Sequence, residues 1–576
     1  MTPAGNRRRR PAARPGAALA SLAGVRAGHP PGRQNRSYGV PLAAAAALAL
    51  LLLALAATDA LAGPSSQRTV RVRTGPEPNG ASVAPRLSAS GRFVAFDSVA
   101  TNLGSSDPNG KVRDAFFFDQ NTGSVLSLSS PADPAGANGP SFSPVLNAAG
   151  DTAAFVSRAS NLVAGDTNGR ADVYVRSAGG LERISLATDG AQPQADALDA
   201  DLSADGRFVV FASAADNLVP ADTNSASDVF VRDRAAQVTT AVSVAGDGAP
   251  ANGRSSGPAI SADGRFVAFT STAKELVAGD TNRVADVFVR DLQAGTTTRV
   301  SLSNGGRQQS RAIAAPFRQV SDISSDGRYV VFDSDARNLV RGDDNRQTDV
   351  FVRDRRRRTT RRVSLATTGQ QADSDSFAPA MTPDGRYVTF ESFASNLTPN
   401  DPPRENVFVR DLVRRHTVMA DVSSRGRPRG PERVRQLLQR PAIADDGATV
   451  AFVSTARNLV ARDRNRAQDV FLRKLTPAPT AVASPRADVR SGRLIITFSS
   501  PNPQAGPLLC RLDRRPSAIC PLGRALLPAL RDGRHRLVAF PGGNGSWYAK
   551  RPVRVSITLR KGRARVRVEN PLDSLR

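Results

Sequence analysis

Apolar and polar positions in this chain follow a pattern that recurs about every 60 residues. In one copy, an apolar run ends at the Asp-Gly pair 263–264, which is typical of hairpin turns because glycine adopts positive φ without a Cβ clash. Residues 265–271 then alternate large apolar side chains with small ones, as a strand does. After a polar loop, residues 286–291 and 297–303 continue the pattern. The unit therefore predicts four short antiparallel strands.

Seven such units follow one another along the chain. Their turn glycines are Gly91, Gly150, Gly206, Gly264, Gly327, Gly385 and Gly447. Repeats that cannot bury their own faces assemble radially or as a stack. Seven units of four strands predict an all-β fold, a seven-bladed β-propeller. A β-solenoid is the alternative, but its coils are shorter and lack these hairpins.

The two ends of the array indicate how the ring closes. Units one to six each have a fourth strand, whereas the seventh is followed by the proline-rich KLTPAPTAVASP. A strand-like segment, residues 68–74 (RTVRVRT), precedes the first unit instead. We expect this N-terminal strand to complete the last blade, because an open array would leave raw sheet edges. Closing the loop costs only about 5 kcal/mol by the logarithmic rule.

The unit resembles the repeats of TolB-type propellers, in which Ser-x-Asp-Gly-Arg precedes an aromatic-rich strand. The matching residues of the third unit are Ser203, Asp205, Gly206, Arg207 and Phe208. The resemblance covers residues 68–473 and implies the propeller fold. It implies little about function, because such propellers serve as binding platforms, as gates on hydrolases and in some cases as enzymes.

The first 62 residues have the layout of a signal peptide. Residues 1–39 carry eight Arg and no acidic residue, residues 40–57 are apolar, and residues 60–62 (ALA) form an A-x-A cleavage site. We therefore expect an exported protein, secreted or held at the cell envelope. An uncleaved membrane anchor is the alternative, although the apolar run is at the short limit for a span.

Charge separates the ring from the end of the chain. The net charge is +26, of which residues 474–576 contribute +15 and residues 63–473 only +4. We assign residues 63–473 to the propeller, residues 474–487 to a proline-rich linker and residues 488–576 to a small basic β-sandwich. Only five of the 78 basic residues are lysine, which indicates a GC-rich genome as much as selection for charge.

The loop between the second and third strands is the first candidate site, because it repeats as Asp-x-Asn-x-x-x-Asp. The triplets are Asp166, Asn168 and Asp172; Asp222, Asn224 and Asp228; Asp280, Asn282 and Asp286; Asp343, Asn345 and Asp349; and Asp463, Asn465 and Asp469. Such oxygen ligands can surround Ca²⁺ if carbonyl groups or water complete the shell. Asx turns explain the same pattern without a metal, and we favour them. Unit six breaks the pattern between Asp401 and Asn406.

Two other repeated features are expected to be structural. An Arg-Asp pair ends the third strand in most units, as at Arg290 and Asp291. We expect this arginine to pair with an acid across the blade boundary. The large aromatic residues predict the core between blades; they include Phe208, Phe230, Phe266, Phe288, Phe332 and Phe351.

The C-terminal residues resemble immunoglobulin-like modules of bacterial surface proteins. The resemblance rests on Cys510, Leu512, Asp513, Cys520, Leu530, Asp532, Gly533 and His535. It implies a β-sandwich in which His535 is a framework residue. In an exported protein, the only two cysteines also predict a disulfide between Cys510 and Cys520.

Motifs of catalysis are scarce. The three histidines, His29, His416 and His535, show no metal-ligand spacing, and neither a G-x-S-x-G elbow nor a phosphate loop occurs. We therefore expect a monomeric, non-enzymatic scaffold that requires no cofactor, with Ca²⁺ as the alternative at the polar loops. It would bind a protein or glycan through one face of the ring. The competing hypothesis is a carbohydrate-active enzyme that uses carboxylates in the channel.

The basic C-terminal domain suggests a second kind of partner. Its arginines could hold anionic wall polymers or lipid headgroups through phosphate contacts. Nucleic acid would suit the charge equally, but export and the lack of interleaved aromatic residues argue against it.

Overall fold

The computed structural model describes residues 68–475, except residues 74, 76, 105–106, 132–135, 221, 312–320, 400 and 432–439, and then the backbone of strands between residues 483 and 568. The predicted signal peptide lies outside the described residues. Every regular element that is described is a β-strand, so no helix in this part of the chain has the length and apolarity of a membrane span.

Seven sheets of four antiparallel strands form the ring. The chain begins with β1 (Arg68–Arg71). Blade 1 contains β2 (Ser82–Leu87), β3 (Phe93–Ser98), β4 (Asp114–Asp119) and β5 (Val125–Ser127); blade 2 contains β6 (Ser141–Leu146), β7 (Ala153–Ser157), β8 (Asp172–Ser177) and β9 (Gly180–Arg183); blade 3 contains β10 (Ala197–Leu202), β11 (Phe208–Ser213), β12 (Asp228–Asp233) and β13 (Val238–Ala241). Blade 4 contains β14 (Ser255–Ile260), β15 (Phe266–Ser271), β16 (Asp286–Asp291) and β17 (Thr296–Arg299); blade 5 contains β18 (Ser321–Ile323), β19 (Tyr329–Ser334), β20 (Asp349–Asp354) and β21 (Thr359–Arg362). Blade 6 contains β22 (Ser376–Met381), β23 (Tyr387–Ser392), β24 (Asn406–Asp411) and β25 (His416–Met419); blade 7 contains β26 (Ala442–Ile443), β27 (Thr449–Ser454) and β28 (Asp469–Lys474).

The N-terminal strand completes blade 7. β1 pairs antiparallel with β28, from Arg68 opposite Lys474 to Arg71 opposite Phe471. The first strands of successive blades contact one another all the way round, including β26 with β2, so they lie innermost. Near one end of the channel, the Asp445 N–H of blade 7 donates to the Ala89 carbonyl oxygen of blade 1, at 3.0 Å. The seven-bladed propeller and its closure agree with the prediction.

The core lies between the blades. Buried apolar side chains form seven clusters among the described residues, one at each blade boundary. Each blade places an aromatic pair at the same register of its second and third strands, as in Phe211 opposite Phe230, whose ring centroids are 5.7 Å apart. The predicted core residues Phe230, Phe288, Phe332 and Phe351 are fully buried, and Phe208 and Phe266 pack at the edges of their clusters.

The turn glycine between the first and second strands packs against the preceding blade. Gly327 has a φ of +65°, and a Cβ atom on it would lie 2.2 Å from a ring carbon of Phe266. The guanidinium of Arg265 lies over the same ring, 4.8 Å from its centroid. The turn therefore needs glycine both for its backbone conformation and for the close contact.

Gly327→Ala is expected to lower the free energy of unfolding by about 2 kcal/mol, because it adds a clash between blades to the backbone strain. Gly342→Ala is the matched control, since Gly342 has a similar φ of +72° but nothing within 4 Å of the added Cβ atom. That control should lose only about 1 kcal/mol. Equal losses in urea denaturation would mean that contact with Phe266 contributes nothing.

The C-terminal strands form two sheets. They are β29 (Ala483–Arg490), β30 (Arg493–Ser499), β31 (Leu508–Leu512), β32 (Ala518–Cys520), β33 (Gly523–Leu526), β34 (Gly533–Pro541), β35 (Val553–Arg560) and β36 (Arg563–Val568). The orders are β29-β30-β33 and β32-β31-β34-β35-β36, and β29 contacts β36, as in a small β-sandwich. β29 begins inside the predicted linker, residues 474–487.

Cys510 and Cys520 lie on the paired strands β31 and β32. In the register, Cys510 stands opposite Ala518, and Cys520 stands opposite Leu508. The side chains here lie outside the described residues. The disulfide and the immunoglobulin-like character of this domain therefore stay predictions.

Candidate functional site

Charged side chains line the axial channel. Arg86, Asp201 and Asp322 occupy the same position near the end of the inner strand in blades 1, 3 and 5. Asp199 lies two residues earlier in blade 3, and Arg440 lies just before β26 in blade 7. All five are partly or fully exposed, and Arg440 binds Asp322 at 2.8 Å between Nη2 and Oδ2. Asp199, Asp201 and Asp322 are the channel carboxylates on which the enzyme hypothesis depends.

Five acids in and around the channel accept hydrogen bonds from the backbone of the next blade. Each carboxylate accepts a hydrogen bond from one backbone N–H. The donors are Ser143 for Asp97 (3.1 Å), Ile260 for Asp201 (3.0 Å), Met381 for Asp322 (2.9 Å), Ala378 for Asp333 (3.3 Å) and Gly257 for Asp199. In every case the donor belongs to the inner strand of the following blade. The acids therefore satisfy backbone groups at blade boundaries, and they come from several blades instead of converging in one.

Burial favours the neutral form of Asp97, Asp201 and Asp333. It raises the pKa of Asp97 and Asp201 to about 6 and that of Asp333 to about 7, although backbone donors act in the opposite direction. Burial, together with the nearby Arg440, lowers the pKa of Arg86 to about 10. Raised carboxyl pKa values occur at active sites, but structural networks produce them as well.

The five Asp-x-Asn-x-x-x-Asp loops are braced by their own side chains. In blade 4, the Asn282 amide donates to Asp286 at 2.7 Å and accepts the Val284 N–H at 3.3 Å, and Ser301 also donates to Asp286. The same amide-to-acid bond joins Asn168 to Asp172, Asn224 to Asp228, Asn345 to Asp349, and Asn465 to Asp469. The expected Asx turns are present, and calcium at these loops stays a prediction.

In four blades an arginine on the fourth strand reaches both acids of the loop. Arg299 Nη1 of blade 4 lies 2.9 Å from Asp280 Oδ1 and 3.3 Å from Asp286 Oδ2. The equivalents are Arg183 in blade 2, Arg362 in blade 5 and Arg71 in blade 7. Among the described residues, no group of three or more His, Cys, Asp or Glu side chains could hold a metal ion. In these four blades a guanidinium supplies the positive charge instead.

The Arg and Asp that end the third strand bind different partners in the structure. Arg290 does cross the blade boundary, but it donates to the Ala245 carbonyl oxygen at 3.0 Å and to the hydroxyl of Thr297. Asp291 pairs with Arg265 of its own blade, at 2.7 Å. The expected acid partner across the boundary was therefore wrong. The chain leaves the sheet there and presents carbonyl oxygens that need donors.

Blade 6, where the repeat departs most, contains a buried charged cluster. The positions of Thr270, Ala285 and Ser301 in blade 4 are taken in blade 6 by Glu391, Glu405 and Asp421, all at most 8% exposed. Arg429 binds Asp421 at 2.9 Å between Nε and Oδ2. Asn406 replaces the acid that starts the third strand, and its amide donates to Asp401 at 3.3 Å.

The same cluster is sealed from solvent and short of positive charge. Burial, and then the nearby Glu405, raise the pKa of Glu391 well above its usual value, and burial raises the pKa of Asp401 to about 7. Because Glu391 is 4% exposed and Asp421 is fully buried, a substrate cannot reach them without an opening of the blade. The break in the loop pattern between Asp401 and Asn406 therefore belongs to a buried cluster of acidic side chains.

Comparisons with known proteins give a likeness of fold alone. No protein-family model matches the chain, and no curated protein matches it significantly. Similar solved structures include an oligogalacturonate lyase in complex with manganese (13% identity, 72% of this chain and 99% of that chain, TM-score 0.42), the β-propeller domain of the Trilobed protease from Pyrococcus furiosus (11%, 69% and 94%, 0.41) and a putative TolB from Agrobacterium tumefaciens (12%, 71% and 99%, 0.30).

Proposed function

We propose that the chain is an exported, non-enzymatic β-propeller scaffold that binds a protein or glycan partner at the cell envelope. The observation that carries the proposal is that acids in and around the channel bind the ring's own backbone. Asp97, Asp199, Asp201, Asp322 and Asp333 each accept a backbone N–H of the next blade. An acid with this role cannot turn to a substrate without loosening a blade boundary.

Exposed charge on one face favours an anionic partner. The hairpins between the third and fourth strands of the neighbouring blades 5 and 6, together with Arg361 of β21, present a surface that we call the basic rim. Its arginines are Arg356, Arg357, Arg358, Arg361 and Arg415, all exposed. Val413 of the same hairpin as Arg415 is 68% exposed and adds an apolar contact. Since guanidinium groups bind carboxylates through paired hydrogen bonds, the basic rim suits an acidic glycan or an acidic protein segment.

Charge reversal tests the basic rim. The double variant Arg357→Glu and Arg358→Glu is expected to weaken binding of the acidic members of a glycan array, or of an acidic protein ligand, by about tenfold or more. Arg341→Glu with Arg346→Glu is the matched control, because these exposed arginines of the same blade lie at the opposite end of its strands. If both pairs weaken binding equally, general charge and not the rim holds the partner.

A carbohydrate-active enzyme is the second candidate, favoured by the raised carboxyl pKa values near the channel. Product analysis of the bound glycans separates the two functions. The scaffold predicts glycans recovered intact. New reducing or unsaturated ends that disappear in Asp201→Asn would establish the enzyme and displace the scaffold.

The basic C-terminal domain has a supporting role in the proposal. Its charge of +15 would attract anionic wall polymers or lipid headgroups and so keep the protein at the envelope. The scaffold itself needs no cofactor for this function.

A further inference from the structure

Blade 3 keeps the two acids of the polar loop but lacks the arginine that joins them in four other blades. In blades 2, 4, 5 and 7 the guanidinium contacts Oδ1 of the first acid at 3.1, 2.9, 3.2 and 3.3 Å. The arginine position, opposite the third-strand aromatic residue, is occupied in blade 3 by Ala241, which pairs with Phe230. Its side chain ends at Cβ. The fourth strand therefore brings no charge to Asp222 and Asp228.

In blade 3, the Asp222 oxygen equivalent to the one that the arginine contacts in other blades lacks a hydrogen bond. Asp222 is 7% exposed, and its Oδ1 atom has no hydrogen-bond partner among the described residues. Asp228 accepts hydrogen bonds from Asn224, at 2.7 Å, and from Ser243. Asp343 Oδ1 of blade 5 also lacks a hydrogen bond, but it lies 3.2 Å from Arg362 Nη2, whereas Asp222 has no ion-pair partner among the described residues. A buried carboxylate oxygen with neither kind of partner costs free energy, so this atom indicates a missing positive group.

The surrounding loop adds negative charge near Asp222 and Asp228, which favours the binding of a cation there. The connection between the second and third strands of blade 3 contains Asp216 and Asp222, ends at Asp228, the first residue of β12, and has no Lys or Arg. Burial raises the pKa of Asp222 and that of Asp228, the latter to about 6, and the charge of Asp216 adds to both shifts. Blade 1 also lacks the arginine, with Ser127 at its position, and Lys111 lies between its loop acids, Asp107 and Asp114, in the sequence.

We propose that Asp222 and Asp228 hold a calcium ion at the place where other blades hold a guanidinium. Blade 4 shows that one cationic nitrogen fits between the two acids, since Arg299 Nη1 contacts both. Calcium takes carboxylate, carbonyl and water oxygens in irregular shells, which suits a site with two carboxylates. The role of this ion is to neutralise the loop, and it is independent of the proposed partner binding.

Exchanging the two blades' residues tests the site. Ala241→Arg supplies blade 3 with the guanidinium, and Arg299→Ala removes it from blade 4. Equilibrium dialysis of the full chain against calcium alone is expected to show one bound ion fewer per chain in A241R, and one more in R299A, than in the wild type. The rise of Tm on calcium addition is expected to be smaller in A241R.

Matched acids provide the control. Asp222→Asn is expected to lose the same ion as A241R, and it carries the test if A241R does not fold. Asp280→Asn, which changes the equivalent acid in blade 4, is expected to leave the number of bound ions unchanged because Arg299 occupies that loop. The proposal is overturned if the wild type binds no calcium, or if A241R and Asp222→Asn retain its full complement of ions.

Discussion

Replacement of Arg71 by alanine is expected to lower the free energy of unfolding by about 4 kcal/mol. Arg71 Nη1 lies 2.7 Å from Glu77, 3.3 Å from Asp463 and 3.0 Å from Asp469, and the arginine side chain is 4% exposed. The substitution leaves the two buried aspartates without their counter-ion. Because Arg71 belongs to the closing strand, the loss falls on the junction that completes the ring. Urea denaturation at neutral pH with a chelator present measures it.

The loss caused by Arg71→Ala is expected to shrink in acid. Burial raises the pKa of Asp469 to about 6 even with Arg71 in place, so acidification lets the abandoned acid become neutral. Arg73→Ala is the control, since Arg73 is exposed and donates to the Gly75 carbonyl oxygen at 2.8 Å. Its effect should stay within about 0.5 kcal/mol. Equal losses in the two variants would argue against a special role for Arg71 in closure.

The architecture of the ring could be predicted because its signals are local and repeated. The third strand of blade 4 was expected at residues 286–291, and β16 has those bounds. The expected fourth strand, residues 297–303, is shorter in the structure, since β17 ends at Arg299. Beyond it the Leu302 N–H donates to the Val300 carbonyl oxygen, so the chain turns out of the sheet. The hydrophobic pattern of the sequence thus predicts where the strands lie, but it does not predict where the fourth strand ends.

The electrostatics of the loops could not be predicted, because they join residues far apart in the sequence. Arg71 and Asp469 are 398 positions apart, yet they form one contact across the closure. Within blade 4, Arg299 and Asp280 meet because the fourth strand runs back beside the third. Only the strand register shows which side chain faces the loop acids. The same register shows that blade 3 has Ala241 where other blades have an arginine. The loop motif alone does not reveal this difference, because blade 3 keeps both loop acids.

The buried acids of blade 6 are expected to make the protein less stable as the pH rises from about 4 to about 7. In the folded chain, burial and then Glu405 raise the pKa of Glu391 above its usual 4.5, and burial raises that of Asp401 to about 7. Folding therefore takes up protons once the pH exceeds the unfolded pKa values. The stabilising contribution is complete below those values and is lost as the pH passes through the folded ones.

Glu391→Gln is expected to flatten this dependence. The amide keeps the shape of a protonated carboxyl, can donate to Glu405 and carries no charge. At pH 8 the variant should exceed the wild type by about 3 kcal/mol in free energy of unfolding, with little difference at pH 5. Asp189→Asn, at an exposed turn, should change neither value. If Glu391→Gln follows the wild type at every pH, Glu391 is ionised when folded, and Arg429 must compensate its charge as well as that of Asp421.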